Sequence, residues 1–234
     1  MAPGTHIQAG VPQAHYFGSS VCTQFFPPGQ TLYGWSSGTS HSTPAVAGGA
    51  ALVYQDFLNK GRPAPSPAMV KGYLMSSAAY MTGAGAGDTL PSNNQGMGRM
   101  DLARAFDATL RLLVDQTVVL GATGQTFTLS GSVARADQPF RITLAWSDAP
   151  GSTAGSPWVN DLDLEVTVGG VTYLGNVFSG AASVPGGATD TMNNVESVVL
   201  PAGTTGDFTV TVRAANLAGD GVPGTTTPPI RTSP

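Results

Sequence analysis

Cysteine is almost absent from this chain: Cys22 is the only one among 234 residues. No disulfide can close within the chain and no cysteine-built metal site can form, so stability has to come from packing. Charge is scarce as well. Asp, Glu, Lys and Arg make up 10% of the residues, the net charge is −4, and the ten Lys and Arg are scattered along the length. Without a basic run there is no electrostatic footprint for a phosphate backbone, which excludes nucleic acid as an expected partner. No apolar run reaches the roughly 18 residues of a membrane-spanning helix. The opening MAPGTHIQAG also lacks the basic and apolar regions of a signal peptide, so any export signal is expected upstream of it.

Glycine (31), proline (18) and a hydrophobic share of 41% are what the chain has in quantity. That balance suits a turn-rich globular protein rather than a disordered one. The length suggests one complete domain and part of another. Residues Ala2 to Ser37 show no sustained period and read as loops and short strands. The run STPAVAGGAALVYQDFL then predicts a helix from Ser40 to Leu58, stopped by Asn59, Gly61 and Pro63. Gly48, Gly49, Ala50 and Ala51 permit close backbone approach, so this helix is expected in a crowded interior. Pro44 falls in its first turn, where the missing N–H costs nothing.

A second helix is predicted from Pro67 to about Ala79, with Ser66 as its N-cap. After the loop GAGAGD, Leu102, Ala105, Phe106, Leu110 and Leu113 fall at helical spacing and predict a third helix over MDLARAFDATLRLL. Beyond Leu113 the period switches to two. QTFTLSGSV, PFRITLAWS, DLDLEVTV, VTYLGNV, VESVVL and DFTVTVRA read as strands of an antiparallel sandwich or jelly roll, with Gly169-Gly170 at the tightest hairpin. The domain boundary is expected near Asp115 to Thr117, giving 1–115 and 116–234. After Asn216 the closing TTTPPIRTSP offers no obvious last strand, and the far end is expected to be incomplete.

The sharpest motif is Gly38-Thr39-Ser40-His41-Ser42-Thr43-Pro44-Ala45-Val46-Ala47-Gly48. It resembles the subtilase signature GTSMATPHVAG, with His41, Ser42 and Ala45 replacing Met, Ala and His and eight anchor residues in register. A serine at a helix start sits where free N–H groups and the positive end of the helix dipole favour an oxyanion. A bare Gly-Thr-Ser would be read as a simple N-cap; the anchors and the small-residue helix behind them favour subtilase descent. Ala2-Pro3-Gly4-Thr5 with Ile7 resembles the APGxxI stretch before the serine loop. Gly96 to Asp101 with Ala105 resembles the GxGxxD…A ending of the catalytic domain. In the second half, Leu144 to Asp148, Val159 to Leu164 and Asn193 to Glu196 are similar to the β-sandwich appended to some extracellular bacterial subtilases.

The resemblance implies an α/β fold, the C-terminal part of a subtilisin-like parallel-sheet catalytic domain, followed by an all-β antiparallel sandwich. It implies a secreted serine endopeptidase acting on proteins or peptides, needing no cofactor for catalysis, with Ser40 as nucleophile and Gly38 and Thr39 in the loop that lines substrate and oxyanion. The rest of the triad has no counterpart here. No Asp or Glu precedes Asp56, no Asn precedes Asn59, and neither His6 nor His15 lies in an HGT context. His41 adjoins Ser40, but helix neighbours diverge by about 100°, so a pocket or packing role is expected for it, as for His6 and His15. The chain is therefore expected to be inactive alone, and Met1 to be an internal codon. A non-catalytic binding or stabilising module is the alternative; another serine hydrolase is disfavoured because no GxSxG elbow occurs.

Asp161, Asp163 and Glu165 alternate with Leu162, Leu164 and Val166, which aligns three carboxylates on one strand face. Such a face could hold a structural calcium, or be solvated, or pair with Arg141. Trp146, Trp158 and Tyr173 could form an aromatic ligand platform, with core packing favoured. Asn176, Asn193 and Asn194 read as turn residues.

Overall fold

Every pairing between strands is antiparallel in the computed structural model, which describes residues 1–12, 24–221 and 230–233. The chain divides into two compact units, 1–52 and 53–234, and the division falls inside the first helix.

The first unit holds a two-stranded ribbon, β1 (Ile7–Gly10) and β2 (Tyr33–Ser36), paired from Ile7↔Ser36 to Gly10↔Tyr33. Phe25 bridges Gly34 on the other side of β2. The turn into the ribbon is organised by Gln30, whose Oε1 accepts from the N–H groups of Leu32 and Tyr33. Helix α1 (Thr39–Asn59) follows at once and carries its Pro44 within the first turns. The expectation of a parallel sheet in residues 1–115 is overturned: the strands described there pair antiparallel, and β1 and β2 have exposed residues. A parallel sheet needs strands buried on both faces and joined by crossovers. A short ribbon with one return is neither.

In the second unit, α2 (Pro67–Ser76) begins as the sequence indicates, with Ser66 Oγ accepting from the Met69 N–H at 3.0 Å and Pro67 in the first turn. The third helix is far shorter than expected. Helix α3 (Leu102–Ala105) is capped by Asp101 and ends at Phe106. Asp107 stops it, because its Oδ1 accepts from the Thr109 N–H and from the Arg111 guanidinium, an Asx-type turn that competes with helix. Leu110 is left exposed at 84%, so its place in the helical spacing was coincidental, while Leu113 packs against the cluster of Val53, Phe57 and Met69 without a helix to carry it.

The remaining strands are β3 (Val118–Leu120), β4 (Thr126–Ser132), β5 (Phe140–Trp146), β6 (Asp161–Val168), β7 (Val171–Leu174), β8 (Phe178–Ser179), β9 (Ala182–Ser183), β10 (Val195–Leu200), β11 (Asp207–Asn216) and β12 (Ile230–Ser233). Two four-stranded antiparallel sheets result, in the orders β10-β5-β12-β3 and β4-β11-β6-β7, with β8 and β9 as a small ribbon. Gly169 (φ 58°) and Gly170 (φ 80°) form the β6–β7 turn, both in the left-handed region that such a turn demands. The last strand, β12, lies beyond the point where the sequence suggested none, and it joins β3 to β5.

One core lies between the sheets: Leu144 and Trp146 from β5, Val198 and Leu200 from β10, Leu162, Leu164 and Val166 from β6, Val210 and Val212 from β11. The two sheets differ on their outer faces. Strand β6 alternates buried and more exposed residues, as one covered face requires, whereas β10 is buried throughout. The reason is α2 and its neighbours. Ala68 packs with Ala145 and Val195, and Val199 packs with Leu90 and Phe178, so the outer side of β10 is covered too. Helix α2 lies close on β5 at Gly72, where a Cβ would sit in ordinary contact with Ala145 and Thr143 at 3.5 and 3.7 Å.

Candidate functional site

Ser40 is the second residue of α1, and both it and Thr39 are exposed. The loop that delivers it is held by a second piece of chain. Gly38 N–H donates to Gly4 O at 2.7 Å, and His6 N–H donates to Ser37 Oγ at 2.9 Å. Gly4 has to be glycine, because a Cβ there would lie 2.1 Å from Ser42 Oγ and 2.7 Å from Gly38 O. The two short motifs read separately from the sequence, APGTHI and GTS, are therefore in direct contact. The first turn of α1 closes with His41 N–H donating to Gly38 O and Thr43 Oγ1 donating to Thr39 O.

This placement puts a primary hydroxyl at the positive end of a 21-residue helix, among N–H groups that have no intrahelical partner. A carbonyl oxygen turning into an oxyanion there would be stabilised. The hydroxyl itself is not activated: among the described residues Ser40 Oγ has no hydrogen-bond partner. His41 is half-buried beside it, and no hydrogen bond joins the two side chains. His6, the other described histidine, is held at φ 53° and packs its ring 4.7 Å from Trp35, which in turn stacks on Phe26 at 4.8 Å and 4°. His6 thus serves the ribbon rather than the serine. His15 and Cys22 lie outside the described residues.

The helix behind Ser40 does not match its small-residue composition. Val53 and Phe57 are buried, but Leu52, Tyr54 and Leu58 are 52%, 45% and 45% exposed, and Ala45, Ala47, Gly48 and Ala51 face outward as well. The expectation of a buried helix is corrected: only the stripe Gly49, Val53, Phe57 is covered.

On β6, Asp161 and Asp163 are partly buried and Glu165 is exposed. Arg141 does not pair with them; its guanidinium donates to Ser76 O and Ala78 O at the end of α2, where Arg104 also donates to Ala78 O. The residue that does approach the two aspartates went unremarked as a site residue in the sequence. Glu196, on β10, is 1% exposed and reaches across to β6, where its Oε2 accepts from the Leu164 N–H at 2.6 Å. Burial pushes its carboxyl up to about 9, against the pull of the Leu164 hydrogen bond, and the negative charges of Asp163, Asp190 and Asp161 push the same way. Burial also raises Asp161 and Asp163. The signal was present in the sequence: Glu196 shares its phase with the core residues Val198 and Leu200, so a period-two reading of VESVVL turns it inward.

The aromatic platform is not assembled. Trp146 is 1% exposed in the core, Tyr173 packs against the same core, and Trp158 is 39% exposed. Asn176 does more than turn the chain at φ 59°: its side chain binds Asp190 Oδ2, Val195 O and the Ser197 N–H. Asn194 binds Lys71 Nζ and Trp146 O. No helix among the described residues is long and apolar enough to cross a membrane.

Residues 1–98 match the model of the subtilase family, a stretch that contains Gly4, Gly38, Ser40 and the whole of α1. No curated protein matches the chain.

Proposed function

We propose that Ser40 is the nucleophile of a subtilase-type serine endopeptidase whose substrates are proteins or peptides, and that this chain carries the nucleophile-bearing part of it. The observation that carries the reading is the placement of Ser40 at the start of α1, held through Gly38 and Gly4, inside the stretch that matches the family. In the reaction Ser40 Oγ would attack the scissile carbonyl while N–H groups at the helix start receive the oxyanion; Gly38 and Thr39 line that approach. The proton on Oγ needs a base, and an Asp–His pair from outside this sequence would supply and orient it. The parent enzyme would be extracellular, and the sheets of residues 116–234 would form its appended domain.

Without a base the hydroxyl is a poor nucleophile, and loss of the base in a subtilisin triad costs about a million-fold in turnover. The chain as given is accordingly expected to stay unlabelled by a fluorophosphonate probe. Labelling that vanishes in Ser40→Ala would show a base already in place and end the claim of inactivity. A longer product read from the upstream DNA in the same frame, carrying an Asp and an HGT-type His, is expected to take the probe at Ser40. If that product takes it elsewhere or not at all, Ser40 is not the nucleophile.

A second reading, a non-catalytic module, is favoured by one observation: Ser40 Oγ has no partner among the described residues. Absence of an Asp and His in the upstream frame would select it.

A further inference from the structure

We propose that Glu196 is a proton-operated latch at the corner where the chain passes from one sheet of the sandwich to the other: it holds the corner as a neutral carboxylic acid, and loss of its proton in alkali loosens β6, β7 and β10 together. The corner is an interrupted ladder. Strands β6 and β7 pair from Val168↔Val171 to Glu165↔Leu174, and the next rung is half made, with the Gly175 N–H donating to Leu164 O at 2.8 Å. In a regular antiparallel rung the Leu164 N–H would return a bond to Gly175 O. It donates instead to Glu196 Oε2 at 2.6 Å, so a side chain from β10 takes the place of a backbone carbonyl.

The chain leaves β7 at that point and turns onto β10. Asn176, at φ 59°, donates its N–H to Ser197 O at 3.0 Å, while its side chain binds Val195 O and the Ser197 N–H. The residues on both sides of Glu196 thus hold the corner too. Gly175 leaves room for the acid, since a Cβ there would lie 2.7 Å from Glu196 Cβ and closer still to Oε2. Glu196 is 1% exposed, and its second oxygen, Oε1, is buried with no hydrogen-bond partner. A carboxylate with one donor and no counter-charge is far costlier to bury than the neutral acid. With Oε2 accepting from Leu164, the proton belongs on Oε1.

The groups packed around the acid favour that proton. Strand β6 presents Asp161 and Asp163, the segment before β10 presents Asp190, and all three oppose ionisation of Glu196, whereas Glu165 of β6 is exposed. From β5 the register partner is Leu144, and Arg141 of the same strand is turned to Ser76 O and Ala78 O. Arg213 of β11 stands opposite Asp163 and acts on that residue. Lys71 of α2 donates to Asn194 Oδ1, and Tyr173 of β7 packs against the core. Among the described residues no salt bridge involves Glu196, and no three acidic, histidine or cysteine side chains come together to hold a metal ion. Burial first, then the aspartates, hold the carboxyl up at about 9 against the pull of the Leu164 hydrogen bond.

An unfolded chain releases this proton in the ordinary carboxylate range, while the native chain keeps it to about 9, so stability is full in acid and falls as pH rises between the two. Glu165 and Glu196 are the only glutamates in the sequence. The whole chain labelled with carbon-13 at its glutamate carboxyls therefore gives two NMR signals, which Glu165→Gln assigns. The Glu196 signal is expected at the position of a protonated acid at about pH 7, moving only in alkali. Urea unfolding from about pH 5 to about pH 9 is expected to show stability falling. Glu196→Gln, which keeps the shape and an acceptor oxygen but has no proton to lose, is expected to remove the larger part of that fall. A Glu196 signal at the ionised position at neutral pH overturns the proposal, as does a fall equally steep in Glu196→Gln. Should Glu196→Gln fail to fold, the titration of the wild-type signal decides alone. None of these readouts involves Ser40, so they stand or fall separately from its proposed chemistry.

Discussion

Helices α1 and α2 invite comparison because their sequences promise the opposite of what they do. Helix α1 has 21 residues, no charge before Asp56, and a run of glycine and alanine suited to a crowded interior, yet it covers only one narrow stripe. Helix α2 has ten residues, includes Lys71, and buries Ala68, Met69, Gly72 and Tyr73. The difference lies in what each meets. Helix α2 packs along β5 and caps both ends, with Ser66 at the start and the carbonyls at its far end taken by Arg141 and Arg104. A helix that is apolar all round is made for burial on all sides; composition states that capacity, and only a partner surface realises it.

The comparison can be broken most forcefully in the core that α2 helps to cover. Leu144→Ala, at a fully buried position between the sheets, is expected to cost about 2–5 kcal/mol, whereas Leu58→Ala on α1 is expected to stay within about 0.5 kcal/mol. Urea unfolding of the two variants side by side measures the contrast, and equal losses would mean that α1 is covered after all. Next comes Gly98, held at φ 118° with a virtual Cβ 2.4 Å from Ala79 O. Gly98→Ala should cost about 1–3 kcal/mol from backbone strain alone, because Ala79 and Arg99 exchange hydrogen bonds around it; a melting temperature equal to wild type would refute that account.

Ser66→Ala removes the N-cap of α2 and is expected to cost about 1 kcal/mol by denaturant unfolding. The matching change at the start of α1, Ser40→Ala, should leave stability nearly untouched, since Ser40 Oγ has no partner to lose. A Ser40→Ala loss as large as that of Ser66→Ala would assign Ser40 a capping role.

The smallest effect concerns the turn that ends α3. Burial works to raise the Asp107 carboxyl, but hydrogen bonds from Thr109 and Arg111 outweigh it and hold the group below its ordinary value. Its contribution is therefore present above the ordinary carboxylate pKa and lost as pH falls through the lowered folded value. Being a third exposed, the pair is worth less than about 1 kcal/mol. Asp107→Asn should flatten the acid limb of the melting-temperature profile slightly; an unchanged limb would remove the pair from the account.

The elements most readable from the sequence were those whose signals are local. Ser66-Pro67 marks the start of α2 because cap and first turn are chemistry of adjacent residues, and Gly169-Gly170 marks its hairpin because two positive φ angles are needed side by side. Leu102 to Leu113 misled for the converse reason. Their spacing satisfied a helix, but Asp107 offered the backbone a closer partner, and a single side-chain hydrogen bond ended the helix after one turn. The longer strands were legible as strands, while β12 and the pairing into sheets were not: nothing in VESVVL says that Ala68 of α2, Leu90 and Phe178 cover its outer side.

For the sites the same division holds. The Gly-Thr-Ser run and its register were legible as a helix-start serine, because helix N-termini are defined within a few residues. The contact of Gly4 with that loop joins segments 34 residues apart, and the reach of Glu196 from one sheet to the Leu164 N–H of the other depends on how the sheets face.

By itself the sequence determined the starts of α1 and α2, most of the longer strands, the glycine hairpin, the scarcity of charge and the presence of a serine at the start of α1, since each follows from neighbouring residues or from composition. Tertiary structure alone decided which strands pair, that every described pair runs antiparallel, that α1 stays largely exposed while α2 is buried, and that Glu196 reaches from one sheet to the Leu164 N–H of the other. Those outcomes depend on chain segments far apart in sequence, and no local preference encodes which of them meet.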